Sequence, residues 1–477
     1  MKNLFATLFI VFAFFFAATA QDRLLDEDEL VSVDEFLSLE DALKSPSNVY
    51  KLNLSDLQLD EFPMEILQLH NLQILDLWKN NIREIPADIR LLSHLQYLNL
   101  GSNIIDTLPK EIGNMVNLIM LDLEGNKLTY LPKEIGDLVF LQNLALGDNS
   151  IVQIPESIGE LKNLRDLTMW ENELIGLPSS FGDLKNLQSL DLSENMLESL
   201  PNSFGQLSNL KICDLRYNKI EQLPAQIDML SSLSYLDLSN NRLLSLPNSI
   251  SNLRSLQMLY LQNQLDENQE QTLKNLPSGI GYLSNLQQIN LKNTGLLNIP
   301  NEIGDLQDLQ ILDASHNKFT DLPSTISKLK NLRELNLSAN KLHTIPVAIG
   351  KLPNLVVLNL SDNSIDEVPS SISKSINIEE IILSKNKLKS VPVSLYDLNN
   401  LKKLDLSENI ITEIPGGIKK LKNLIDLNLQ RNKLTTIPVE ISKLNELDNL
   451  NLRENLIPDA EMDVIRNQIP QVVKIRF

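Results

Sequence analysis

The chain has 477 residues, 43% of them hydrophobic, and a formal net charge of −20 at pH 7. This charge repels nucleic acids and anionic membranes, which argues against both as partners and leaves basic proteins easier to accommodate. A single cysteine, Cys213, excludes an intramolecular disulfide. The length alone would suggest two or three globular domains, but internal repetition replaces that estimate.

Residues 1–20 have the features of an export signal. Lys2 places a positive charge at the N-terminus, and the apolar run Leu4–Ala17 follows it. The small residues at positions 18 and 20 form a cleavage site of the kind that signal peptidase accepts. An uncleaved membrane anchor is the alternative, but the run is short for a spanning helix, which needs about 20 residues. No cysteine follows the run, which argues against a lipid anchor, and no later segment is apolar enough to span a membrane. We therefore expect a mature chain from Gln21 that is secreted, periplasmic or on the cell surface.

The rest of the sequence repeats with a period of 23 residues. The repeat is LxxLxLxxNxLxxLPxxIGxLxN, and 18 copies cover residues 49–457. Of the 21 prolines, 17 occupy its proline position, from Pro63 to Pro438. Leu57, Gln264 and Thr294 replace the asparagine in three repeats. The other repeats carry what we call the ladder asparagines: Asn80, Asn103, Asn126, Asn149, Asn172, Asn195, Asn218, Asn241, Asn317, Asn340, Asn363, Asn386, Asn409, Asn432 and Asn455.

This pattern resembles the leucine-rich-repeat family. The family consensus LxxLxLxxNxL stands at residues 118–128 as LIMLDLEGNKL, and LPxxIGxL stands at residues 131–138 as LPKEIGDL. The second half is similar to the 23-residue subclass found in Ras-pathway scaffolds and in bacterial secreted proteins. The resemblance implies an α/β solenoid, a leucine-rich-repeat horseshoe with a parallel concave β-sheet, short helical or 3₁₀ segments on the convex side, and helical caps. It also implies that the concave sheet is the recognition surface.

The residues alone predict the same architecture. In LxxLxLxxN the residue between two inward leucines points outward, which is the alternation of a half-buried strand. A buried asparagine amide has two donors and one acceptor, so it can bond to its own turn and to the next repeat. Proline begins a short helical segment where its missing N–H costs nothing. Cys213 takes an inward leucine position, so we expect a buried hydrophobe and not a reactive thiol.

Both ends of the repeat array need caps, because stacking otherwise exposes the core. In residues 21–48 we predict a flexible acidic tail over Asp22–Glu29 and an amphipathic helix over Ser32–Lys44. Ser32 would be its N-cap and Glu35 would complete a capping box. In residues 458–477 we predict a closing helix and a last strand over Val472–Phe477.

The period breaks once. One repeat has seven extra residues, which we place at Leu265–Asn275, and Gln271 could replace Gln264 as the ladder amide. The segment is polar, so we expect it to be exposed and mobile. The sequence leaves open whether it contacts a partner or is a tolerated insertion.

Outward-facing strand residues are the candidates for partner binding. Aromatic residues make up only 5% of the chain, so their placement is informative. The proposed anchors are Trp78, Tyr97, Trp170, Tyr235 and Tyr260, with Tyr217 and Met258 nearby; the alternative is that these side chains merely fill gaps between their neighbours. Beyond Thr294 we expect a charged face with Arg333, Glu334, Glu379, Glu380, Lys402, Lys403 and Asp426.

A row of aspartates is the second candidate feature. Asp191, Asp214 and Asp237 fall at the same outward position of consecutive repeats, about 4.8 Å apart if the strands pair. Such a row could attract a cation or a basic ligand. The alternative, which we favour, is that aspartate is the common solvated residue of the LDLS motif, because carboxylates alone make a loose calcium site.

No catalytic motif occurs, and the histidines His70, His94, His316 and His343 lack a second ligand at metal-binding spacing. We therefore predict no enzyme, no cofactor and no metal site. The favoured function is a monomeric, extracytoplasmic protein-binding scaffold, and glycan or peptidoglycan binding and surface adhesion remain alternatives. The lack of cysteine-rich caps favours a bacterial protein.

Overall fold

The computed structural model describes residues 24–477, and the predicted signal peptide 1–20 lies outside them. The chain forms two compact units, of which the first ends at Lys219 and the second spans Ile220–Phe477. Each unit is a parallel sheet whose paired strands are consecutive in the chain. The predicted solenoid of parallel strands and short 3₁₀ segments is therefore confirmed.

Each repeat contributes one three-residue strand whose central residue is buried. Between neighbouring repeats, paired residues lie 23 positions apart, as in Leu75 with Leu98, except where Met258 pairs with Gln288 across the insertion. The end strands β1 and β20 pair with the first and last repeats at other separations. The strands of the first unit are β1 (Glu35–Phe36), β2 (Lys51–Asn53), β3 (Ile74–Asp76), β4 (Tyr97–Asn99), β5 (Met120–Asp122), β6 (Asn143–Ala145), β7 (Asp166–Thr168), β8 (Ser189–Asp191) and β9 (Ile212–Asp214). Those of the second unit are β10 (Tyr235–Asp237), β11 (Met258–Tyr260), β12 (Gln288–Asn290), β13 (Ile311–Asp313), β14 (Glu334–Asn336), β15 (Val357–Asn359), β16 (Glu380–Ile382), β17 (Lys403–Asp405), β18 (Asp426–Asn428), β19 (Asn449–Asn451) and β20 (Lys474–Arg476).

A 3₁₀ segment follows the proline of each repeat. Proline itself is extended, as at Pro63 with φ −70° and ψ 104°, and its carbonyl accepts the N–H of Ile66 at 3.1 Å. In the first unit these segments are Met64–Gln68, Ala87–Leu91, Lys110–Asn114, Lys133–Asp137, Glu156–Glu160, Ser179–Asp183 and Asn202–Gln206, preceded by Pro46–Asn48. In the second unit they are Ala225–Met229, Asn248–Asn252, Ser278–Tyr282, Asn301–Asp305, Ser324–Lys328, Val347–Lys351, Ser370–Lys374, Val393–Asp397, Gly416–Lys420 and Val439–Lys443.

The ladder asparagines hold each turn to its neighbour. The Asn103 amide donates to Leu100 O of its own turn and to Leu77 O of the preceding repeat, both at 3.0 Å. Its carbonyl oxygen accepts the N–H of Ile82 at 3.0 Å. The inter-repeat bonds therefore run to the previous repeat and not to the next one.

The residue before each ladder position adopts the left-handed conformation, with φ between 51° and 67°. Only Gly125 among them is a glycine, so most of these residues accept a cost of about 1–2 kcal/mol. The buried amide bonds offset this cost and fix the turn.

A second asparagine ladder, which the sequence analysis missed, joins the turns that lead into the strands. Asn117 Nδ2 donates to Ser93 O at 2.8 Å, and Asn186 Nδ2 donates to Lys162 O at 2.7 Å. These amides are exposed, unlike the ladder asparagines. The asparagine that ends the repeat consensus could have predicted this second ladder from the sequence.

The prediction for the N-terminal cap is wrong. Instead of one helix over Ser32–Lys44, the chain forms α1 (Glu27–Ser32), strand β1 and α2 (Leu39–Ala42). Strand β1 pairs with β2 in parallel, which satisfies backbone groups that a helix would leave open at the sheet edge. Asp26, not Ser32, is the N-cap of a capping box, and it caps α1 together with Glu29.

The acidic segment is not a free tail over the part of it that is described. Gln73 Oε1 accepts the N–H of Leu25, and Gln96 Nε2 donates to Leu25 O, both at 2.8 Å. At the other end of the chain, α3 (Asp459–Gln468) and β20 occupy the segment for which we predicted a helix and a last strand. Strand β20 pairs with β19.

At the insertion, Gln264 and not Gln271 takes the ladder position. Gln264 is fully buried, donates to Leu238 O and Leu261 O, and accepts the N–H of Leu243 at 2.9 Å. Its longer side chain thus repeats the asparagine pattern. Gln271 is on the far side of the inserted turn, where its side-chain Nε2 donates to Asn293 Oδ1 at 2.7 Å.

We predict that Asn103→Ala lowers the free energy of unfolding by about 2–5 kcal/mol, because it leaves the buried N–H of Ile82 unpaired. It also removes one of the two amide bonds to each of Leu77 O and Leu100 O, which keep their bonds from the neighbouring ladder asparagines. Asn117→Ala is the matched control, since its exposed amide can be replaced by water, and we expect a loss below about 1 kcal/mol. Urea unfolding followed by circular dichroism measures both. Equal losses would contradict the distinction between the two ladders.

Candidate functional site

The outward side chains of the strands form one surface in each unit, which we call the strand face. It consists of the two residues that flank the buried central residue of each strand, plus the residue just after the next leucine. In most strands both flanking residues are half-buried. The fully buried Cys213 lies at a central position, so its thiol points into the core, as predicted.

The aspartates of the strand face are turn acceptors. Asp191 Oδ1 accepts the N–H of Ser193 at 2.9 Å, and Asp214 Oδ1 accepts the N–H of Arg216 at 3.0 Å. Asparagine does the same elsewhere, as when Asn99 accepts the N–H of Gly101 at 3.0 Å. The carboxylate charge is therefore not needed for the turn.

Each of the three aspartates in the row accepts hydrogen bonds from its own turn, and one of them also forms an ion pair. Asp191 and Asp214 pair across β8 and β9, Asp191 also accepts the Ser193 hydroxyl, and Asp214 forms an ion pair with Arg216 at 3.4 Å. Asp237 lies in the second unit and accepts the N–H of Ser239 at 2.8 Å. Among residues 24–477, no group of three or more potential ligands is placed to hold a metal ion. These contacts favour the turn interpretation of the aspartates.

In the first unit the structure places Tyr97 in an apolar strip. Ile74, Tyr97 and Met120 are paired neighbours on β3, β4 and β5. Trp78 follows β3 at the edge of this strip, and 41% of its surface is exposed. Tyr97 and Trp78 are among the predicted contact residues, but Ile74 and Met120 are not, although both take the first outward position of their strands.

Trp170 is more constrained than Trp78. It is half-buried against the backbone of Gly147, where a Cβ would lie 2.5 Å from its Cε2 and 2.7 Å from its Cδ1. Trp78 approaches Gly101 in the same way, with its Cδ1 3.2 Å from the place of a Cβ. Each indole therefore lies over a glycine of the adjacent repeat.

Two carboxyl groups lie between the tryptophans along the chain. Burial raises the pKa of Asp122, and the Asp76 carboxylate adds to this rise against the opposing effect of the Glu124 N–H. Burial also raises the pKa of Glu124, followed by repulsion from Asp122, while the Trp170 N–H acts in the opposite direction. The carboxyl groups of Asp122 and Glu124 are therefore partly shielded from water on the strand face.

In the second unit Tyr235 and Tyr260 come together. Their ring centroids are 5.5 Å apart, and the ring planes are inclined by 47°. Met258 is paired with Tyr235, and its Sδ accepts the Tyr260 hydroxyl at 3.6 Å. Burial raises the pKa of Tyr260, and the nearby Asp237 adds to the rise. Tyr217 belongs to the first unit, where it takes the left-handed turn position.

The strand face beyond Thr294 carries the charged residues named above, but part of it is apolar. Ion pairs join Lys402 to Glu379 at 2.8 Å and Lys403 to Glu380 at 3.5 Å. An apolar hollow of about 190 Å³ precedes them, and its apolar lining includes Ile311, Val357 and Ile382. This hollow was not predicted, because only charged residues were considered among the outward positions of this region.

Sequence comparison identifies the family. Models described as leucine-rich repeat region match residues 49–124, 106–175 and 204–291, and models described as leucine rich repeat match 163–220, 317–365, 353–411 and 399–457. The chain belongs to the leucine-rich-repeat family. None of the curated proteins compared with it matches in sequence.

Solved structures of this family are similar over most of the chain. A leucine-rich-repeat protein of Leptospira interrogans is 35% identical over 93% of this chain and 100% of its own, with a TM-score of 0.71. The Arabidopsis receptor kinase HAESA, solved with the peptide hormone IDA and a co-receptor, is 29% identical over 88% and 72%, with a TM-score of 0.65. The plant peptide hormone receptor RGFR1, solved with RGF2, is 29% identical over 88% and 77%, with a TM-score of 0.62.

No helix within residues 24–477 has the length and apolarity that crossing a membrane requires.

We predict that Gly147→Ala displaces the Trp170 ring, because the new methyl group would overlap the indole. Tryptophan fluorescence should shift to longer wavelength as the ring becomes more exposed. Gly176→Ala is the control, since a Cβ there meets nothing within 4 Å. An unchanged spectrum in the Gly147 variant would show that the ring does not pack on this glycine.

We predict a pH-dependent stability difference between the natural chain and the variant Asp122→Asn/Glu124→Gln. Both carboxyl pKa values are raised in the folded state from 3.8 and 4.5, so folding binds protons and the natural chain loses stability as the pH rises above those values. The variant should lack this loss and be at least as stable at pH 7. Urea midpoints at pH 4, 5.5 and 7 measure the difference, and a natural chain that gains relative stability on going to pH 7 would contradict the prediction.

Proposed function

We propose that this chain is a non-enzymatic binding protein that holds a protein or peptide partner on its strand face, outside the cytoplasm. The observation that carries the proposal is the placement of its few aromatic side chains in two groups on that face. One group is the tryptophan and Tyr97 region of the first unit, and the other is the Tyr235–Tyr260 pair of the second.

The core uses nearly every inward residue, so recognition falls to the outward ones. Rigid aromatic groups that are half-exposed on a polar sheet gain much from desolvation by a partner and lose little side-chain entropy. The turn acceptors around them supply hydrogen-bonding groups in a fixed register of about 4.8 Å. Such a surface suits an extended chain or a loop of another protein.

The similar receptor structures support a peptide or protein ligand. HAESA and RGFR1 are described in complex with peptide hormones, and both are similar to most of this chain. The extracytoplasmic location rests on the export features of residues 1–20.

The test is affinity capture with the mature chain as bait, with captured proteins or peptides identified by mass spectrometry. Trp78→Ala/Trp170→Ala and Tyr235→Ala/Tyr260→Ala test the two aromatic groups. Removing a buried aromatic contact typically weakens binding by about 2 kcal/mol or more, so the captured partner should be lost with at least one pair. Tyr282→Ala is the control, because Tyr282 lies on a 3₁₀ segment with 66% of its surface exposed.

A partner that survives both double substitutions would refute the proposed face. If the bait instead captures glycans on an array, and the same substitutions abolish that binding, the glycan alternative replaces the protein-binding proposal. Circular dichroism of each variant shows that the repeats remain folded.

A further inference from the structure

One place on the first unit combines two indole rings, the glycines on which they pack, and negative charge. The residue after the last strand leucine is Trp78, Gly101, Glu124, Gly147 and Trp170 in five consecutive repeats. We call this row the indole cleft. Its strands β3 to β7 are paired in register, so the five positions follow one another along the strand face.

The two glycines allow the rings to lean toward each other. Trp78 lies against Gly101, the next position in the row, and Trp170 lies back over Gly147, the position before it. A side chain at Gly147 would overlap the Trp170 ring. The indoles therefore overhang two positions that are two strand spacings apart, roughly 10 Å, with Glu124 between them.

The floor of the cleft is acidic. Asp122 Oδ1 lies 3.2 Å from the place of a Gly101 Cβ, and Trp78 Cδ1 lies at the same distance from it. Asp122 and Trp78 thus contact the same glycine, and Glu124 follows Asp122 by two residues. Asp76 and Asp148 add further negative charge.

The turn does not require the charge of Asp122, and Glu124 accepts a hydrogen bond from Trp170 within the same cleft. Asp122 Oδ1 accepts the N–H of Glu124 at 2.9 Å, a contact that Asn99 supplies equally well one repeat earlier. Among residues 24–477, none of the ion pairs involves Asp122 or Glu124. Lys79 Nζ lies 5.5 Å from the centroid of the Trp78 ring, and it is paired with Asp56 at 2.9 Å.

We propose that the partner inserts a positively charged side chain, arginine or lysine, into the indole cleft between Trp78 and Trp170, where Asp122 and Glu124 receive it. This inference rests on the proposed binding function and names the chemistry of its ligand. A cation over an indole face is attracted by the ring quadrupole. Partly desolvated carboxylates form charge-assisted hydrogen bonds with such a cation. The positive charge of the partner would also neutralise the two carboxylates, which form no ion pair within the described repeats.

The experiment uses the full mature chain labelled with fluorotryptophan. The chain has two tryptophans, so fluorine NMR gives one signal for each ring, assigned with Trp78→Phe and Trp170→Phe. The probe is an acetylated and amidated tetra-arginine peptide, and the tetra-citrulline peptide is its neutral counterpart. We expect the arginine peptide to shift both signals saturably and the citrulline peptide to shift neither.

Two double variants separate a specific site from general attraction to an acidic protein. Asp122→Asn/Glu124→Gln should weaken the arginine peptide by about tenfold or more, as expected when hydrogen bonds to charged groups are lost. Asp191→Asn/Glu194→Gln removes the same charge three repeats away and should leave the affinity within about twofold of the natural chain. Equal weakening in both variants, or signals that do not move, would overturn the cation site.

The outcome also separates this inference from the proposed function. If the captured partner depends on the tryptophans but binds Asp122→Asn/Glu124→Gln with full affinity, the binding function stands and the cation site is wrong. If the arginine peptide depends on the two acids but no captured partner depends on either aromatic pair, the cation site stands and the proposed function is wrong.

Discussion

The buried ladder amide is the interaction on which the rest of this structure depends. Each amide donates to its own turn and to the preceding repeat and accepts one N–H from that repeat, as Asn103 does with Leu100, Leu77 and Ile82. These bonds hold the preceding residue in a left-handed conformation that costs energy for anything but glycine. Because every strand leaves its turn in the same direction, the strands pair in one register and the core leucines stack.

This constraint also decides where recognition is possible. The inward positions are used by the core, and the aspartate or asparagine that ends most strands is used by its own turn. What can vary is the outward set, and the residues that depart from the consensus there are informative: two tryptophans, the glycines beneath them, Glu124 and the Tyr235–Tyr260 pair. The proposed indole cleft consists of such departures, and its acids carry a desolvation cost that the turn does not require.

The errors of sequence reasoning have a common cause. The amphipathic pattern of Ser32–Lys44 satisfied helix rules, yet the open edge of β2 takes Glu35–Phe36 as a strand instead. The acidic segment before it looked free, but buried Gln73 and Gln96 bind the backbone of Leu25. Ile74, Met120 and the apolar hollow near Ile311 were overlooked because the aliphatic residues at the outward positions were passed over in favour of the aromatic and charged ones. In each case a neighbour distant in sequence decided the outcome.

The sequence by itself determined the family, the repeat, the strand and turn positions and the ladder residues, because each repeat uses the same local chemistry every 23 residues. It also identified the aromatic residues that stand on the outward positions. Only the tertiary structure decided that Gln264 and not Gln271 completes the ladder, that the aspartate row is taken up by turns, and that Trp170 leans back over Gly147. Those outcomes depend on side-chain reach and direction between neighbouring repeats, which a one-dimensional period does not contain.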